Sequence, residues 1–289
     1  MVLNQTVCRL LVGNEIRRMR EAAGLKQEAA AEPIGVSGGY LSKLELGQTR
    51  VRVAEIEKLL TVLGADPHHV TSVANLARGA NKRGRWDGHR AAFPDWLRMY
   101  VDLEEGAEAI SQVMVEMIPG ILQVEPYIRT IHAEWPRTPD DNGDSIEDAV
   151  AARKERQQIF TRPDPPSVSF VLAESCLHRM VGNPTVMREQ LDYLLDISQL
   201  HNVQLQILPN RTRTYSGSVS YPFTTLTIGA PGIASPLSFV YVENYDAARY
   251  IDDKPTVRRY NDLWNRLTAA ALGPTESRDF IHAANDQYR

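Results

Sequence analysis

The chain has 289 residues, 43% of them hydrophobic and 24% charged, enough for two globular domains with cores of their own. The formal net charge is −4 and no apolar run reaches membrane-spanning length, so the bulk numbers argue against a bilayer-crossing chain and, at first sight, against a nucleic-acid binder. Two cysteines, Cys8 and Cys176, exclude a disulfide framework or a four-cysteine zinc site and fit a reducing cytoplasm.

The start, MVLNQTVCRLLVGNEIRRMR, lacks the apolar core and small-residue cleavage site of a secretion signal. The charge is unevenly spread. Residues 1–90 hold 14 Lys and Arg against 9 Asp and Glu, a net of +5, and the remainder holds 18 against 27, a net of −9. A mildly basic head on an acidic body suits a DNA reader joined to a domain with another task.

Residues 7–22 read as a helix, with Leu10, Leu11, Ile16 and Met19 as the apolar stripe, and Gly24 stops it. A second short helix covers roughly 27–34, with small Ala29, Ala30 and Ala31 for close packing and Pro33 near its end. Gly35 turns the chain, Ser37 is placed to cap, and a third helix runs from about Gly38 to Glu45, closed by Gly47. A fourth spans about 53–63, with Ile56, Leu59, Leu60 and Leu63 on one face. Gly64 ends it, and Pro67 opens a fifth to about Ala77.

Two short helices joined by a tight glycine turn read as a helix-turn-helix. The order Gln27, Ala31, Gly35, Val36, Ser37, Leu41, Leu44, Glu45, Gly47 resembles the lambda-repressor/Cro-like, Xre-type family over residues 12–66. That resemblance implies phosphate contacts from Gln27 and Ser37. It places Gly38 and Gly39 where the family presents side chains to base edges, with Ser42 and Lys43 one turn on and Arg50 and Arg52 as backbone contacts. Lys43 is the candidate donor to a guanine. The two glycines shorten the reach of the reading helix, so specificity is expected from Ser42, Lys43, DNA shape and dimer spacing. The competing reading is a helical protein-interaction domain without DNA contact. Glu45 is expected to be structural, paired with Arg17 or Arg18. Tyr40, Leu41 and Leu44 read most simply as core.

Residues 78–90, RGANKRGRWDGHR, read as a basic linker whose Arg78, Lys82, Arg83 and Arg85 either track the DNA backbone or form a solvated hinge. Beyond it, helices are expected over 95–109, 123–134, 148–161, 184–200, 256–271 and 275–287, with a short one starting near Glu174. Strands are expected around Val113, Val115 and Met117, and over 167–173, 203–207, 223–228 and 237–243. The fold expected is an all-α helix-turn-helix head, residues 1–77, followed by an α+β domain over 91–289.

The segments FPDWLRMYVDLEEGA, IPGILQVEPYIR, TRPDPPSVSFVLAE, MREQLDYLL, NVQLQILP and DLWNRLTAAAL, in that order, resemble the DUF5753 domain over about 84–281. The resemblance implies a cytoplasmic actinobacterial regulator of the Scr1-type, antitoxin-like group, accompanied by a small DUF397-type partner protein. The expected function is sequence-specific DNA binding by a homodimer on a double-stranded operator, controlled through the C-terminal domain. Two alternatives stay open for that domain: docking of a small partner protein, and sensing of an unknown small-molecule ligand. Trp96, Tyr100, Tyr127, Trp135 and Trp264 are the candidates to line a ligand pocket, against a plainer reading as core. The polar stretch 210–221 reads as a surface loop or a lid.

No catalytic or metal constellation emerges. His68, His69, His89, His132, His178, His201 and His282 form no His-x-x-x-His pair and lack zinc spacing to a cysteine. There is no G-x-S-x-G and no glycine-rich phosphate loop after a strand. The expectation is a regulator without cofactor, metal or enzymatic activity.

Overall fold

The computed structural model describes residues 3–81, 95–134, 146–212, 221–229, 236–245 and 247–288. Contacts divide the described residues into two compact units. The first draws on Met1–Gly88, Met99–Ala107 and Thr227–Leu237, and the second on the rest.

The first unit holds α1 (Gln5–Ala22), α2 (Gln27–Ala31), α3 (Gly38–Glu45), α4 (Val53–Val62) and α5 (Pro67–Gly79). A single 3-10 turn, Glu32–Ile34, continues α2, where Pro33 could not have extended an α-helix. Asn4 caps α1 by accepting from the Val7 N–H at 2.9 Å. Helix α1 packs on α3 and α5, and α4 on α5. Between them Leu11, Ile16, Leu41, Leu44, Ile56, Leu59 and Leu60 are buried to 1% exposure or less. Each such side chain contributes about 1.5–3 kcal/mol of apolar burial. Gly13 permits the closest approach: a Cβ there would lie 2.5 Å from the Leu44 carbonyl oxygen and 2.6 Å from that of Glu45. Helix α1 therefore meets the end of α3 backbone to backbone.

Part of α6 (Asp95–Gly106) packs with this unit. The Asn4 amide donates to the Asp102 carbonyl at 2.6 Å and to Glu105 Oε2 at 3.1 Å, and the Thr6 hydroxyl donates to the Asp102 carboxylate. The helix stops at Gly106, three residues short of the expected Ala109, because Ala109 already belongs to a strand.

The second unit is built on a mixed sheet of β1 (Ala109–Met114), β2 (Ser167–Ala173), β3 (Val203–Leu208), β4 (Phe223–Ile228), β5 (Leu237–Glu243) and β6 (Ala248–Ile251). Their spatial order is β3-β2-β1-β4-β5-β6. β1 and β2 are parallel, Ala109 opposite Ser167 through Met114 opposite Leu172, and β2 and β3 are parallel as well. Parallel neighbours need long crossovers. These are α7 (Glu125–Glu134) and α8 (Ile146–Gln157) after β1, and α9 (Ser175–His178) and α10 (Pro184–Ile197) after β2. β5 and β6 are antiparallel, Tyr241 opposite Tyr250.

One sheet face carries Val113, Val171, Leu208, Phe223 and Val240, covered by Val257 and Leu267 of α11 (Lys254–Ala270). Strand alternation sends Gln112, Phe170, Tyr241 and Glu243 to the other face. There Phe170 meets Phe160, ring centroids 6.5 Å apart, at the end of α8's 3-10 extension. Helix α12 (Pro274–Asn285) packs on α10 and β3.

Two strands differ from the sequence reading. β1 begins at Ala109 and ends at Met114, so Val115 and Met117 lie outside it. Its length is set by pairing with β2, and the Ser175 hydroxyl then takes the Val115 carbonyl. β6 was not expected at all, being only four residues long.

Candidate nucleic-acid interface

The turn between α2 and α3 is made by Gly35 at φ 75°, a left-handed conformation that a side chain would resist. Ser37 caps α3, its Oγ accepting from the Tyr40 N–H at 3.1 Å. Ala30 and Ala31 are fully buried, so α2 lies close to its neighbours. Helix α3 buries Leu41, Leu44 and Glu45 and exposes Gly39 and Lys43, with Gly38, Tyr40 and Ser42 half-buried.

Glu45 fixes α3 in place. Arg20 Nε donates to its Oε1 at 2.5 Å and Arg20 Nη2 to its Oε2 at 3.0 Å, while the Gln27 amide donates to Oε2 at 2.8 Å. Three helices are thus joined at one carboxylate. The partner is Arg20, and not Arg17 or Arg18, which pair with Glu21 and Glu15. Arg20 lies four residues after buried Ile16, on the inward stripe of α1, and that spacing was the available signal. With its amide nitrogen on Glu45, half-buried Gln27 keeps its oxygen and backbone N–H at the start of α2.

The two glycines at the tip are not demanded by the fold. Neither has a positive φ. A Cβ at Gly39 would meet nothing within 4 Å, and one at Gly38 would meet only the flexible Glu28 side chain at 3.0 Å.

Beyond α3, Tyr40, Thr49, Arg50, Val51, Arg52, Val53 and Asn81 line a cavity of about 340 Å³. It opens at the N-terminus of α4, where Arg52 occupies the cap position without giving a side-chain cap bond. Unsatisfied N–H groups and the helix dipole favour an anion at such a place. Asn81 donates to the Val51 carbonyl at 2.7 Å and fixes the loop. Tyr40 donates to Glu55 at 2.7 Å; burial, followed by this bond, pushes its hydroxyl up to about 12. Arg52 also pairs with Glu55, at 2.8 Å. Arg50 and Lys43 are exposed, and their side chains have no hydrogen bond or ion pair among the described residues.

The aromatic candidates for a ligand pocket fall in different surroundings. Tyr127 is fully buried, its hydroxyl 3.5 Å from the Ile118 N–H. Tyr100 is 3% exposed and groups with the first unit. Trp264 packs half-buried on the Val113–Val171–Val240 face. Trp96 donates to Glu243 at 3.4 Å and its carbonyl accepts from Tyr250. Trp135, with Lys82, Arg83, Arg85 and most of the polar stretch 210–221, lies outside the described residues. Among the described residues no group of His, Cys, Asp or Glu could hold a metal ion, and no helix is long and apolar enough to cross a membrane.

Comparison with protein families matches residues 11–72 to a helix-turn-helix domain and residues 97–283 to a domain of unknown function, DUF5753. No curated protein and no solved structure matches the chain.

Proposed function

The chain belongs to the DUF5753 family, with a helix-turn-helix domain ahead of that domain, and from this premise we propose that it is a cytoplasmic, homodimeric, sequence-specific DNA-binding transcriptional regulator. The helix-turn-helix domain itself supports a DNA-binding regulator. The observation that carries the finer reading is the exposed side of the head. Lys43 projects from α3 and Arg50 lies beside the uncapped start of α4, their side chains without a partner among the described residues.

In this reading α3 enters the major groove. Lys43 donates to a guanine O6 or N7, with Ser42 beside it. Ser37 and Gln27 approach phosphates, Gly38 and Gly39 lie at the base edges, and Arg50 and Arg52 hold a phosphate at the α4 terminus. Two heads sit in successive grooves of a pseudopalindrome, and the 91–289 domain sets their spacing. Partner or ligand control acts by favouring one spacing over another.

The test compares full-length protein with Lys43→Ala and Arg50→Ala on a selected operator and on random DNA. Lys43→Ala should cost about 1–3 kcal/mol on the operator and much less on random DNA. Arg50→Ala should weaken both alike and flatten the salt dependence. Equal losses on both DNAs for Lys43→Ala would remove it from base reading.

A further inference from the structure

Glycine is a poor helix former, yet α3 begins with two that the backbone does not require, since neither Gly38 nor Gly39 has a positive φ. A Cβ at Gly39 would meet nothing within 4 Å. The space at Gly38 is taken from outside the helix. The Glu28 side chain of α2 lies where a side chain at 38 would begin. A Cβ there would stand 3.0 Å from Glu28 Oε1 and 3.1 Å from both its Cδ and its Cγ. Glycine at 38 therefore makes room for Glu28 across the tip of the reading helix.

Four other carboxylates of the head, Glu15, Glu21, Glu45 and Glu55, each hold an arginine. Glu28 is exposed, and its side chain has no hydrogen bond or ion pair among the described residues. It stands in the first turn of α2 and beside the first residue of α3, near the positive ends of two helices, where a negative charge is favoured. The dipoles account for the charge but not for a side chain laid over a bare tip. Where Gly38 and Gly39 offer no side chain of their own, the group that reaches out is the Glu28 carboxylate. An ionised carboxylate only accepts hydrogen bonds. In the major groove it pairs with an amino group and is repelled by the acceptors of guanine, N7 and O6, and of thymine, O4. Adenine sets its acceptor N7 beside its amino group, whereas cytosine presents the N4 amino group alone.

We propose that Glu28 is a specificity-determining residue of the DNA interface, its carboxylate accepting from the N4 amino group of a cytosine in the space that Gly38 leaves at the tip of α3. The inference rests on the DNA-binding reading and deepens it: a base read from α2 is added to the guanine read by Lys43. Gly38 is the positioning partner, because a methyl group there would crowd the Glu28 side chain out of the tip.

The experiment is selection of bound fragments from random DNA by the full-length wild type, Glu28→Gln, Gly38→Ala and Glu32→Gln, compared base pair by base pair. The wild-type motif should hold one G·C pair in each half-site that depends on Glu28. In Glu28→Gln the preference for that pair should fall roughly tenfold and pass to A·T, because a glutamine amide pairs with adenine N6 and N7. Gly38→Ala should relax the same base pair and no other. Glu32→Gln removes an equal charge four residues further on and should keep the wild-type motif. A purely structural or dipole role for Glu28 would change affinity without changing which base is chosen. The proposal is overturned, with the DNA-binding reading left standing, if Glu28→Gln or Gly38→Ala selects the wild-type motif. The same holds if the base pair sensitive to Glu28 is A·T in the wild type, or if Glu32→Gln shifts that base pair as Glu28→Gln does. A wild type that selects no motif overturns the reading and this proposal together.

Discussion

Removing the Glu45 carboxylate tests how the reading helix is held. Its side chain is 2% exposed, and that of Arg20 11%. Glu45→Ala leaves the Arg20 guanidinium only the Leu25 carbonyl at 2.8 Å and the half-exposed Glu21 carboxylate at 3.6 Å, and leaves the Gln27 amide without its partner. Breaking a buried pair from one side costs about 3–5 kcal/mol; Arg20 retains some access to water, which puts the expected loss near ~3 kcal/mol. With two compact units in the chain, one melting midpoint averages over both. Hydrogen exchange of peptides from α1 and α3, followed by mass spectrometry, reports on the head alone. A loss of ~3 kcal/mol appears as roughly a hundredfold faster exchange there, with the sheet peptides unchanged. DNA binding should fall in parallel. The double replacement Arg20→Met, Glu45→Leu should recover most of the protection, because an apolar pair of similar volume carries no stranded charge. An exchange rate within about twofold of the wild type for Glu45→Ala would refute the argument and reduce the cluster to the worth of a surface ion pair.

Three further outcomes follow from the same structure. Gly39→Ala meets no atom within 4 Å, so it should stabilise α3 by up to about 1 kcal/mol in head-specific exchange. If the tip touches DNA, it should also weaken operator binding; a variant that is more stable and binds unchanged would show that the tip stays clear. Asn4→Ala loses the α1 cap and both bonds to α6, and should cost about 2 kcal/mol, read as faster exchange in α1 and in residues 99–107 together. Faster exchange in α1 alone would disprove the link. His132 is pushed down to about 4 by burial and by Arg153, so the fold favours its neutral form. Its contribution is complete above the ordinary histidine range and is lost as pH falls from about 6.5 toward 4. The pH slope of stability in that window should shrink in His132→Gln, and an unchanged slope would assign it to other groups.

The head was legible because its signals are local. Gly24, Gly35, Gly47 and Gly64 all adopt the positive φ that their places after helices implied, and Ser37 caps as its position promised. What escaped was pairing across helices: Glu45 chooses Arg20 by the depth of its position, whereas the sequence offered three arginines within four residues. The sheet was legible strand by strand but not in its order, because β1, β2 and β3 are neighbours only through crossovers of many residues. β6 is too short to show alternation and exists by pairing with β5. The aromatic candidates failed to declare themselves for a related reason. Tyr127 and Trp264 are both spaced as core or pocket residues would be, and only the fold shows Tyr127 sealed beside Ile118 and Trp264 on the sheet. Buried Arg156 sits in a helix read simply as charged, where nothing in the spacing distinguishes an inward arginine from a solvated one.

The central claim is that the head reads a defined DNA sequence as a dimer. Selection of bound fragments from random and genomic DNA by the purified full-length protein, at about 0.15 M salt, tests it most directly. The account predicts an enriched two-fold motif with half-sites one helical turn apart, lost in Lys43→Ala. A folded protein that enriches no motif, or one that enriches a motif indifferent to Lys43, would contradict it.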